Sequence, residues 1–101
     1  MGSGGLRVIE AQSFRSRLLG LALRRDLDPR EALLIPRCAS VHTFGMRFAI
    51  DVVFLDEEGR VLEVRHHVPP ARVVRHRGAA AALETRGGES WRFVARGRLA
   101  R

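Results

Sequence analysis

The stretch CASVHTFGMRFAIDVVFLDEEGRV, residues 38–61, sets a cysteine, a histidine, a threonine and an aspartate around two apolar runs. Cys38, His42 and Asp51 are the residue types of a thiol nucleophile, its base and an orienting carboxylate. That chemistry needs a thiolate stabilised in a partly exposed, electropositive niche. A free cysteine more commonly serves as a small buried hydrophobe, which is the expectation for Cys38. No catalytic residue is assigned, and the balance lies against an enzyme. The chemistry that fits better is non-covalent recognition of a small molecule or a protein. His42, Thr43, Asp51 and Arg72 would supply its polar contacts, and Met46 and Trp91 an apolar wall.

Asp51 is the most informative of these. A carboxylate inside an apolar strand must be hydrogen-bonded, paired or protonated, because an isolated buried charge is costly. His42, an arginine or loop N–H groups could each satisfy it. The expected role is a tie between the 38–46 loop and the sheet, with a share in a functional site as the alternative. His42 itself is open to structural hydrogen bonding, ligand contact or proton transfer.

Residues 65–77 hold Arg65, His66, His67, Arg72, Arg75, His76 and Arg77 and no acid. Neighbouring histidines on a strand point to opposite faces, so His66 and His67 are not expected to share a metal. The stretch reads as a solvated edge or an anion-facing one. Arg72, Arg75 and Arg77, with the basic 96–101 tail, therefore make a rival partner class, polyanions or nucleic acid, bound in a salt-sensitive way. Only six aromatics are present and tyrosine is absent, which supplies a base-stacking surface poorly. Trp91 is expected to anchor the core, with a pocket platform as its alternative. One cysteine allows no internal disulfide and no thiolate metal cluster, and no phosphate-loop or hydrolase motif is present. No metal and no cofactor are expected.

These residues must be positioned by a chain of 101 residues, enough for one domain, with 46% hydrophobic residues and a formal charge of +7. All eighteen basic residues are Arg. That points to a codon bias toward G and C before it points to phosphate recognition. No apolar run is long enough to span a membrane. Residues 1–5 read as a flexible leader without a secretory pattern, so a cytoplasmic, monomeric domain over 6–101 is the expectation.

Residues 6–11 read as a first strand, and Ser13 as the cap of a short helix over 13–25 with a Phe14, Leu18, Leu21 stripe. Residues 32–36 form a strand stopped by Pro36. Residues 47–55 alternate so that Ile50, Val52 and Phe54 face one side and Asp51, Val53 and Leu55 the other. The DEEG turn and the returning strand 60–65 complete a hairpin. Pro69 and Pro70 exclude helix nearby, and ARVV at 71–74 is a short strand. AAAALET at 79–85 is balanced between helix propensity and strand context. Trp91 and Phe93 alternate with Arg92 before a basic end. The fold class is mainly β (α+β): a compact barrel-like or two-layer antiparallel sheet with one short N-terminal helix.

The run CASVHTFGMRFAIDVVFLDEEGRVLEV, followed by VPPAR and AAAALETRGGES, resembles the DUF192 family, also called UPF0127. The upstream FRSRLLGLALRRDL is similar to that family's early segment, so the resemblance covers about residues 8–97. It implies a compact, mainly β domain with one short helix, and no particular activity. Many relatives carry an N-terminal export or anchoring segment that the opening residues here do not resemble. Many also show an aromatic where this chain has Ala71, which would alter any pocket that the aromatic lines.

Overall fold

The computed structural model describes residues 5–10 and 28–100. The helix expected over 13–25 lies outside the described residues. Within them the strands are β1 (Arg7–Glu10), β2 (Glu31–Pro36), β3 (Ser40–His42), β4 (Ile50–Leu55), β5 (Val61–Val68), β6 (Val73–Arg75), β7 (Ala81–Arg86), β8 (Val94–Ala95) and β9 (Arg98–Leu99). A 3-10 turn, Ser90–Phe93, precedes β8.

Five strands form one open sheet in the order β1-β2-β7-β4-β5. Only β1 runs parallel to its neighbour β2; the other pairs in this sheet are antiparallel. Among the described residues the sheet does not close, so the barrel-like expectation is corrected. Two small antiparallel pairs, β3–β6 and β8–β9, complete the strands.

Each face of the sheet buries its own apolar set. On the first face Leu33, Ile35, Ile50, Val52, Phe54 and Ala82 meet Val41 and Val74 of the β3–β6 pair, with Met46 from the loop between β3 and β4. On the second, Ala32, Leu34, Val53, Leu55 and Leu83 meet Phe93, Val94 and Leu99 of the C-terminal segment. Every residue of β4 is buried. Its run of Ile, Val and Phe suits a strand covered on both sides, each large side chain contributing about 2 kcal/mol of transfer free energy. The alternation read from the sequence places Ile50, Val52 and Phe54 on one face and Val53 and Leu55 on the other, as found.

The β4–β5 hairpin turns through Asp56-Glu57-Glu58-Gly59. Asp56 Oδ1 accepts the N–H groups of Glu58 and Arg60, each at 2.8 Å, and Gly59 takes φ +81°. The strand β5 runs on to Val68, past the Arg65 end expected for it, and stops before Pro69 and Pro70. The alanine-rich 79–85 segment resolves as the central strand β7. Pairing on both sides, with Ala82 and Leu83 fully buried, outweighs alanine's preference for helix.

Candidate functional site

Asp51 is fully buried beside Thr85 of β7. Its Oδ1 accepts the N–H of His67 at 2.9 Å and of Gly88 at 3.0 Å, and Oδ2 accepts the N–H of Ser90 at 3.2 Å. Burial pushes the carboxyl pKa up, but the N–H groups of Gly88, His67 and Ser90 and the Ser90 hydroxyl outweigh it and hold the group below the ordinary carboxylate range. His66 Nδ1 stands 3.5 Å from Oδ2, with its imidazole largely exposed. The expected structural role is therefore carried by different partners. Asp51 ties the end of β5 and the 87–90 turn to β4, and makes no bond to the 38–46 loop.

A bulge makes this geometry. Ile50 pairs with Val68 and Val52 with Arg65, so β5 has one residue more than β4 in the interval. His67 absorbs it in the left-handed region, at φ +50°. Its N–H turns inward to Asp51, and its ring lies over the two glycines that follow β7. A Cβ on Gly87 would stand 3.0 Å from His67 Nδ1 and 3.1 Å from the Ala49 carbonyl oxygen. Strict alternation of His66 and His67 therefore fails: both rings lie around the one carboxylate and its loop. Even so, no three His, Cys, Asp or Glu side chains converge as a metal set among the described residues.

Thr43 is the second buried hub. Its hydroxyl donates to the Pro69 carbonyl at 2.7 Å and accepts the Arg72 N–H at 2.9 Å. Its backbone N–H donates to the Arg72 carbonyl, and its own carbonyl accepts from Ala71 and Met46. These bonds hold the Pro-Pro-Ala-Arg turn, in which Ala71 sits at φ +64°, a conformation costing a β-carbon-bearing residue about 1 kcal/mol. Thr43→Val keeps the shape and deletes the hydroxyl. The expected outcome is a loss of about 1–2 kcal/mol, with faster amide exchange at Arg72; unchanged exchange there would show that the hydroxyl does not brace the turn.

The remaining residues of the candidate set divide between core and surface. Met46 is buried in the first-face core. Trp91 is 67% exposed, with the Arg92 guanidinium 4.7 Å from its ring centroid. The expectation that it anchors the core is corrected: the 3-10 turn breaks the alternation, and Phe93 takes the buried place. His42 and Arg72 are exposed, and the His42 ring lies 5.8 Å from that of Phe44. Cys38 is half-buried: it donates its thiol hydrogen to the Ser40 carbonyl and packs against the edge of the first-face core. Ala39, Ser40, Arg75 and Arg77 line one shallow concavity. Within the basic 96–101 segment, Arg98 lies in β9 and donates to the Glu58 carbonyl.

Two features escaped the sequence reading. One is the exposed pair Phe44 and Val73, 53% and 48% accessible. The other is Glu84, buried in mid-β7 between Leu33 and Val52, with Oε1 lacking any hydrogen-bond partner among the described residues. Desolvation pushes its pKa up to about 8. Charge in an apolar strand was the available signal, and only Asp51 was weighed by it.

These features define a class: a small open-sheet β domain with two buried polar hubs bracing its loops. The chain belongs to the DUF192 family (Uncharacterized ACR), whose model matches residues 2–96. It is similar to a protein of unknown function from Novosphingobium aromaticivorans, at 22% identity and a TM-score of 0.75, over 91% of this chain and 73% of that one. It is also similar to a Sinorhizobium meliloti protein described as a "putative transcription regulator", at 24% identity and a TM-score of 0.80, over 92% and 79% of the two chains. At these identities the likeness is one of fold. No curated protein matches the chain. No helix among the described residues is long and apolar enough to cross a membrane.

Proposed function

We propose that the domain is a non-enzymatic binding module whose contact surface is the outer side of the β3–β6 pair and the loops beside it. One observation carries the reading. Thr43 and Asp51, two of the four polar side chains expected to contact a ligand, are fully buried and spend their hydrogen bonds on loop backbone. Loops braced in this way lose little entropy on binding, which is how a preorganised surface gains affinity. The groups left open to a partner are His42, Phe44, Arg72 and Val73. A polyanion reading through Arg72, Arg75 and Arg77 is favoured by the concavity that Arg75 and Arg77 share with Ser40.

Nuclear magnetic resonance titration of the full chain with a library of small anionic and aromatic fragments tests the module. Shifts are expected to cluster at His42, Phe44, Arg72 and Val73. Their absence, or a scatter over the whole surface, would remove the reading.

A further inference from the structure

The β3–β6 pair has an inner and an outer side. Val41 and Val74 are paired and point into the core, so the flanking pairs, Ser40 with Arg75 and His42 with Val73, project outward. Phe44 prolongs this outer side beyond His42, its ring tilted 37° to the imidazole. Arg77 prolongs it at the other end, around the concavity with Ser40 and Arg75. The result is a stripe with rings at one end and guanidinium groups at the other. Its strand part, Ser40 to His42, spans about 7 Å at the rise of an extended chain, and Phe44 lies in the turn that follows.

The segments that build it carry charge of one sign. From Arg37 to Ile50 and from Val64 to Leu83 the sequence holds six arginines, all four histidines and no acid. The rest of the chain, with twelve arginines and eleven acids, is close to neutral. The excess charge of the protein therefore belongs almost wholly to the two segments that build and flank the β3–β6 pair.

We infer that this stripe binds single-stranded nucleic acid, with a base stacked on Phe44 beside His42 and the backbone phosphates following Arg75 and Arg77. This rests on the binding-module reading above and gives its partner a chemistry. A basic track joined to an exposed aromatic ring is the combination that single strands require, because every base has a face to stack. A duplex would keep its bases from Phe44. An acidic peptide adding a strand would find only three-residue strands to pair with, too short an edge for main-chain recognition.

The test is fluorescence anisotropy of the full chain with a labelled short oligothymidylate and, in a second arm, an oligouridylate, over a salt series. Unlabelled duplex and polyglutamate serve as competitors. Single strands are expected to bind at low salt, and the arm that binds more tightly tells DNA from RNA. Phe44→Ala should weaken binding roughly tenfold with an unchanged salt slope. Arg75→Gln with Arg77→Gln should flatten the slope of log affinity against log salt by about 1.4, the value for two phosphates on a single strand. All three side chains are exposed, and an unchanged thermal midpoint verifies that the variants fold. No binding of either oligonucleotide, indifference to Phe44→Ala, or equal competition by polyglutamate would each overturn the inference. If the oligonucleotides fail while fragments still shift His42 and Phe44, the binding module stands without this partner. If both are silent, both fall.

Discussion

Asp51→Asn should lower the stability of the fold by about 3 kcal/mol at neutral pH, a drop of roughly 10–20 °C in melting temperature for a domain of this size. The amide keeps the volume of the carboxylate, so no cavity complicates the result. It replaces one acceptor oxygen by an NH2 group, which then faces an N–H donor, from His67 and Gly88 on one side or Ser90 on the other. Charge-assisted bonds are lost, and at least one buried N–H is left without an acceptor.

The pH dependence gives a second readout. The folded carboxyl titrates below its unfolded value, so its contribution is present in full above the unfolded pKa and is lost as pH falls through the folded one. Urea midpoints of the parent should therefore decline on acidification below about pH 4 more steeply than those of Asp51→Asn. Coincident curves for the two proteins would mean that the three N–H groups do not depend on this charge.

Glu84 should behave in the opposite sense. Its folded pKa of about 8 lies above the unfolded value, so the unfolded chain gives up its proton while the folded one keeps it. Stability is then greatest below about pH 4.5 and falls as pH rises to about 8, by about 1.4 kcal/mol per pH unit across that window. Glu84→Gln removes the titration at nearly constant volume. It is expected to stabilise the protein by about 3 kcal/mol at pH 7 and to be nearly neutral at pH 4. Denaturant unfolding of both proteins at the two pH values decides it; equal stability at pH 7 would show that the carboxyl is solvated or paired. The two substitutions remove buried carboxyls of the same sheet, yet one should weaken and the other strengthen the fold. The difference is that Asp51 meets donors and Glu84 meets Leu33 and Val52.

Local signals explain what could be read from the chain alone. The β4–β5 hairpin was legible because the alternation of 50–55 and the Asp56…Gly59 turn are adjacent in sequence and agree with each other. Residues 79–85 stayed balanced because a strand's central place depends on neighbours brought in from elsewhere, here β2 and β4. Asp51 was recognisable as a residue needing partners, since its type and setting conflict. Which partners it has was not recognisable: they lie 16, 37 and 39 positions further along the chain. The bulge at His67 has no sequence mark, and without it His66 and His67 would point to opposite sides. Trp91 misled for a related reason, since the Ser90 N–H bonded to Asp51 starts a 3-10 turn where alternation implied a strand.

The edge strand β5 is the longest among the described residues, and no described strand lies beyond it. A straight ribbon there would offer its main chain to any passing copy and seed fibrous association. At position 67 the backbone hydrogen that could have recruited a stranger is turned inward onto the carboxylate. The bond that anchors the sheet's interior thus also blunts its rim, so loosening it should expose the molecule to clumping as well as to unfolding.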